Sequence, residues 1–287
     1  MSCRSGGAST RTGPPSRRPT QPSCLQSVSC RLAPRPLRPS RRCGVREVYF
    51  YGTCLVDLFF PDAGMAGIQL LRQAGVKVIF PEGQTCCGQP AFNCGYWEEA
   101  RDVARTQVAL FPKDLSVILP SGSCAGMMKV HYPELFHGQP DEAQVRAFSA
   151  RVYELTQFLV DVLDVKLEDL GEPVKVTWHS SCHAVRDLGL KGEPQALIGQ
   201  LANVELAPLT REHECCGFGG TFSVRQPEIS GVMSCDKAAD AEATGASVLL
   251  STDGGCLLNV NGTLEAKQSP LRVQHIAEFL WERTHAR

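Results

Sequence analysis

The chain has 287 residues, 43% of them hydrophobic and 21% charged, with a net charge of −1. That length buries a core without staples, so its fourteen cysteines do not read as the framework of a small secreted scaffold. No run of 18 apolar residues is present, so no membrane span is expected. Residues 1–44 hold nine arginines and no acid, and subtracting those nine charges from −1 leaves −10 for the rest. An acidic folded part is a poor partner for nucleic acid.

Residues 1–44 contain seven prolines and no apolar periodicity, and are expected to be a disordered Arg/Pro-rich extension. The acid-free, Arg- and Ser-rich composition is that of a transit peptide, but the prolines oppose the amphipathic helix such a peptide needs. Arg17-Arg18 and Arg41-Arg42 have twin-arginine character, yet no apolar stretch follows either. A basic arm for nucleic acid is a weaker third reading. The favoured reading is a start placed upstream of the real one, with translation beginning near Val45. Cys3, Cys24, Cys30 and Cys43 lie in this segment and are not assigned as ligands. No apolar secretory core opens the chain, so a reducing, cytoplasmic setting is expected.

From residue 46 the pattern is α/β, with a first half over 45–167 and a second over 172–287. Strands are expected at 47–51, 76–80 and 115–119, with helices at 62–73 and 96–111. A long helix over 141–163 follows, carried by Phe148, Val152, Leu155, Phe158, Leu159 and Val162 at helical spacing. Residues 168–173 form the link. The second half repeats the order, with strands at 174–178, 203–206, 247–251 and 271–273 and helices at 227–243 and 275–283. Alternating strands and helices predict parallel sheets, here in two pseudo-repeated halves.

One cysteine pattern is written twice. Cys54 precedes the pair Cys86-Cys87 by 31 intervening residues, and Cys124 follows it after 36. Cys182 precedes Cys215-Cys216 by 32, and Cys256 follows after 39. All fall just after strand ends, where open α/β sheets place ligands. Four thiolates per half is the ligand count of an iron–sulfur cluster. Gly88, Gly122, Gly217, Gly219, Gly220, Gly254 and Gly255 stand beside them and permit close approach. A single buried cysteine is more often a small core hydrophobe. That bland reading fits Cys94 and Cys235, which have no repeat partners, but not eight cysteines at repeated spacing.

Zinc is the alternative metal, although structural zinc sites favour paired ligands on tight turns. His179, His183 and His213 stand near the second set. Each could ligate or shuttle a proton, and polar loop residues is the blander reading. Gly217-Phe218-Gly219-Gly220 is no dinucleotide fingerprint, and Ser121-Gly122-Ser123 is no nucleophile elbow. Asp161 and Asp164 read as solvated charge, and Met127 and Met128 as packing.

With these residues in hand, the chain resembles the cysteine-rich CCG-domain family, and within it the lactate-utilisation group. Other members are the B subunit of heterodisulfide reductase and the iron–sulfur subunits of glycolate oxidase and anaerobic glycerol-3-phosphate dehydrogenase. The resemblance rests on GTCLVD at 52–57, QTCCGQPAFNCGY at 84–96, PSGSCAGMMK at 120–129 and YELTQFLVDVL at 153–163. It continues in HSSCHAVRDLG at 179–189 and ECCGFGGTFSV at 214–224, and spans about 46–283.

It implies an iron–sulfur protein with [4Fe–4S]-type clusters that oxidises L-lactate to pyruvate alongside two partner subunits, one carrying ferredoxin-like clusters. Carried over, Cys54, Cys86, Cys87 and Cys124 would serve one half, and Cys182, Cys215, Cys216 and Cys256 the other. The chain departs from the family's terminal CxxC, with Ser121 and Asp253 in place of its first cysteine. Rival readings are an iron–sulfur subunit of glycolate or glycerol-3-phosphate oxidation, a heterodisulfide-type thiol redox protein, and a zinc-stabilised scaffold without turnover.

Overall fold

The protein is described from a computed structural model over residues 44–285; residues 1–43 of the expected extension, with their four cysteines, lie outside the described residues. Strands β1 (Glu47–Phe50), β2 (Lys77–Ile79), β3 (Val117–Leu119) and β4 (Val152–Glu154) form one sheet in the order β2-β1-β3-β4. Strands β5 (Val174–Trp178), β6 (Val204–Ala207), β7 (Val248–Ser251) and β8 (Arg272–His275) form a second in the order β6-β5-β7-β8. Every pairing is parallel. The central strands β3 and β7 are buried along their whole length, as strands covered on both faces must be. Fold class and repeat are those read from the sequence.

In each sheet the chain leaves the first strand toward one side and returns to its other side. The strand order therefore reverses between β1 and β3, and between β5 and β7. Crevices at such switch points are the ligand sites of open parallel sheets.

The two halves share a core. Phe50, Leu70, Leu71, Ile118 and Phe158 belong to the same apolar cluster as Trp178, Leu197, Leu250, Phe279 and Leu280. Helix Pro61–Gln73 of the first half packs on the closing helix Ile276–Thr284 of the second. Asp169 in the link is gripped from that closing helix. Arg283 donates from Nε to Oδ1 at 2.8 Å and from Nη2 to Oδ2 at 2.7 Å.

One expectation fails. The helix expected over 141–163 is broken: helix Glu142–Ala150 ends, β4 follows, and a short helix Leu155–Gln157 runs on as a π-turn over Phe158–Val162. Val152 and Tyr153 are a β-branched and aromatic pair that fits a strand, and β3 offers them an unpaired edge. Three strand residues do not disturb a 3.6-residue apolar spacing, so the periodicity ran through the break unseen. Glu154 restarts the helix by accepting from Thr156 N–H at 2.7 Å and Gln157 N–H at 3.1 Å.

Candidate metal centre

Each half delivers four thiols from three loops at its switch point. Cys54 opens helix Cys54–Phe59 after β1, and Cys182 opens helix Cys182–Arg186 after β5. Cys124 and Cys256 lie in the first turns of helices Gly122–Gly126 and Gly254–Ala266, after β3 and β7. The adjacent pairs come from the loops after β2 and β6. Each pair ends in a glycine with positive φ, +83° at Gly88 and +85° at Gly217. A Cβ at Gly217 would also lie 2.7 Å from the Ser230 carbonyl oxygen, so the position excludes a side chain twice over.

The sulfurs follow one order in both halves. Cys54 interacts with Cys86, Cys86 with Cys87, and Cys87 with Cys124. Cys182, Cys215, Cys216 and Cys256 repeat the chain. The thiols of Cys54 and Cys87 donate to Cys86 and hold it at about 3; the Gly88 N–H, 3.4 Å from its sulfur, adds to this. Cys215 falls to about 2 for the same reasons, with the Gly217 N–H at 3.4 Å. Cys54 and Cys182 are pushed up, because each gives its hydrogen to that thiolate and is desolvated. Thiols packed so closely cannot all ionise unless a cation shares the site. That donor chemistry fits a metal or a cluster.

The outer supports differ between halves. The Cys87 carbonyl accepts from the Tyr132 hydroxyl at 2.8 Å, and the Cys216 carbonyl from Asn259 Nδ2 at 2.8 Å. Neither residue was foreseen, since both sit beyond the cysteine motifs without a matching position in the repeat.

The two positions that depart from CxxC meet each other. Ser121 Oγ donates to Asp253 Oδ1 at 2.9 Å, and Ser123 Oγ donates to the same oxygen at 2.6 Å. The Ser123 N–H lies 3.1 Å from Asp253 Oδ2. Buried Ser121 and Asp253, with half-buried Ser123, form a polar lock between the halves. Beside them a Cβ on Gly122 would lie 2.6 Å from that of Ala184, so the loops are already in contact.

His275 ties the same loops from beneath. Its Nε2 lies 3.0 Å from the carbonyls of both Pro120 and Thr252, and its Nδ1 accepts from the Ala277 N–H at 3.1 Å. Burial pushes its pKa down, so the neutral ring with hydrogen on Nε2 is the form that fits. His275→Ala is expected to cost roughly 1–3 kcal/mol from the stranded carbonyls alone, read by urea unfolding. A loss under about 0.5 kcal/mol would show that the carbonyls find other partners.

All eight repeat cysteines line one cavity of about 410 Å3, together with Gln89, Thr221 and Arg225. His183 also lines it, with Nδ1 3.5 Å from the Cys182 sulfur. His213 is exposed and does not line the cavity. His179 is buried, and neither of its ring nitrogens has a hydrogen-bond partner. Burial lowers its pKa to about 4, so the ring is neutral. Met127 and Met128 are packing residues, fully buried.

Cys94 and Cys235 correct an expectation, for neither is a core hydrophobe. Cys235 is exposed. Cys94 is half-buried, and its sulfur lies 3.0 Å from Thr221 Oγ1 of the other half.

Comparison with known proteins agrees with this architecture. The cysteine-rich domain family model, CCG, matches twice, at residues 48–129 and 176–261. The chain belongs to that family of duplicated cysteine-rich domains. Among its relatives is lactate utilization protein A of Geobacillus kaustophilus (strain HTA426), 47% identical over 237 residues, covering 82% of this chain and 98% of the relative. The protein of the same name from Bacillus licheniformis is 45% identical over 237 residues, with the same coverage. A crystal structure of a hypothetical protein from Helicobacter pylori shares the fold at a TM-score of 0.62 and 10% identity. The match covers 90% of this chain and 52% of that one. Among the described residues no helix is long and apolar enough to cross a membrane.

Proposed function

We propose that this protein is the iron–sulfur electron-transfer subunit of a cytoplasmic system oxidising L-lactate, a 2-hydroxy acid, to pyruvate. One observation carries the reading: eight thiols from two repeated halves line a single cavity. The lactate-utilisation relatives supply the substrate class. Two partner subunits complete the system in this reading, one with ferredoxin-like clusters.

Cys54, Cys86, Cys87 and Cys124 would hold one cluster, and Cys182, Cys215, Cys216 and Cys256 a second, each of [4Fe–4S] type by its four thiols. Such clusters supply reversible one-electron transfer when bound. The chain's own residues set the surroundings. Gly88 and Gly217 N–H groups stabilise the most acidic thiolate of each set. The Ser121–Asp253 lock holds the two sets at a fixed separation. His183 stands beside Cys182 at the cavity wall, and Arg225 brings positive charge to the same wall.

The test is growth on L-lactate of a strain in which this chain replaces its lactate-utilisation relative. The intact chain should restore growth, and Cys87→Ser and Cys216→Ser should not. Normal growth with both variants would refute the role.

A zinc-stabilised scaffold is the second reading, favoured by the grouping of one histidine with two cysteines. It predicts a colourless protein without sulfide.

A further inference from the structure

The thiol sets are built alike, but the residue that extends the first strand of each half is not. Tyr51 and His179 occupy matching places. The Tyr51 N–H donates to the Ile118 carbonyl at 2.9 Å, and the His179 N–H to the Leu250 carbonyl at 2.8 Å. Each backbone is thereby fixed to the neighbouring central strand. Their side chains then diverge. The Tyr51 hydroxyl donates to the Thr85 carbonyl at 2.5 Å and is satisfied.

His179 is 1% exposed, and both ring nitrogens lack a partner. A buried imidazole is normally paired, because an unmade hydrogen bond is costly there. What faces it is sulfur. One ring nitrogen and the sulfurs of Cys216 and Cys256 all lie within 4.8 Å of one another. Ligands bound at about 2.0–2.3 Å to one tetrahedral ion lie about 3.6–3.8 Å apart, and in any geometry no more than about 4.6 Å. The trio is therefore close to the spacing of a shared metal.

We infer that His179 is a metal ligand of the second centre, beside Cys216 and Cys256, and that the first centre has no such ligand. The neutral ring donates a nitrogen lone pair to the metal; no bond breaks and no electron moves. The two centres are then chemically distinct, the second being a mixed thiolate–imidazole site. The imidazole adds a neutral nitrogen donor beside the four thiolates, so the ligand set of the second centre, and with it the potential, differs from that of the first.

The inference rests on the presence of a metal at these thiols, and one sample can separate its failure from that of the iron–sulfur reading. The full chain is purified anaerobically, assayed for iron, zinc and sulfide, and reduced. Pulsed EPR should then show the strong nitrogen coupling of a directly bound imidazole. His179→Gln, checked for folding by circular dichroism, should lose that coupling while the signal of the first centre stays. His179→Cys should keep the metal and move one midpoint potential to more negative values. Two iron–sulfur signals without nitrogen coupling, or a coupling that survives His179→Gln, would overturn the inference and leave the iron–sulfur reading intact. If zinc is found instead, that reading fails. X-ray absorption showing nitrogen beside sulfur, lost in His179→Gln, would still uphold His179 as ligand, and sulfur alone would overturn it. A chain that binds no metal overturns both.

Discussion

Cys87→Ser and Cys216→Ser should each remove about half of the bound iron, and the double variant nearly all of it. Both cysteines are 2% exposed and stand mid-way along the sulfur chain of their half. Their backbones are pinned from outside, by Tyr132 at Cys87 and by Asn259 at Cys216. Among the described residues no cysteine outside the repeated eight lines the cavity to take their place. A serine hydroxyl is a far poorer ligand than thiolate, and in this buried place it needs a hydrogen bond that the sulfur did not. Cys235→Ser is the control, since that residue is exposed on helix Pro227–Ala243 and should leave the iron unchanged. Iron and sulfide assays on each variant give the answer. A single variant that empties both halves would mean one shared centre instead of two.

Arg283→Ala should be the most damaging change away from the thiols, at about 3–5 kcal/mol in chemical unfolding. The Asp169 side chain is 0% exposed and that of Arg283 9%. Removing the guanidinium leaves a carboxylate inside the protein with only the Asn203 and Gly171 N–H groups for support. It also frees the Glu172 carbonyl, which Arg283 Nη1 reaches at 2.6 Å. The pair has a pH signature. Burial alone would raise the Asp169 pKa, but Arg283 and the two backbone donors outweigh burial and hold it below the ordinary carboxylate value. A depressed carboxylate contributes stability that is present above its unfolded pKa, about 3.9, and is lost as pH falls through the folded value. The wild type should therefore lose this contribution only in acid, while Arg283→Ala is weakened already at neutral pH. Equal stability of the two proteins at neutral pH would contradict the account.

The site was far more legible than its supports. The repeated cysteine spacing marked all eight thiols, because strand, loop and cysteine keep one order in both halves. The lock of Ser121 with Asp253 could not be read, since it joins residues 132 apart in sequence across two halves. His275 looked like an ordinary helix start, and only the parallel packing of β7 and β8 brings its ring beneath the two cysteine loops. His179 gave no signal beyond its place before Cys182; its isolation from hydrogen-bond partners is a property of the packed core. β4 escaped because Arg151 to Glu154 holds no glycine or proline to interrupt the apolar spacing. Its counterpart β8 was found because Ser269-Pro270 announces it.

The central claim is that the eight thiols hold iron–sulfur clusters. Its most direct test is anaerobic purification of the chain, followed by metal and sulfide analysis and EPR across a redox titration. The account predicts about eight irons with matching sulfide and signals that appear and vanish with potential. Zinc in their place, or a chain without iron and sulfide after reconstitution, would contradict it.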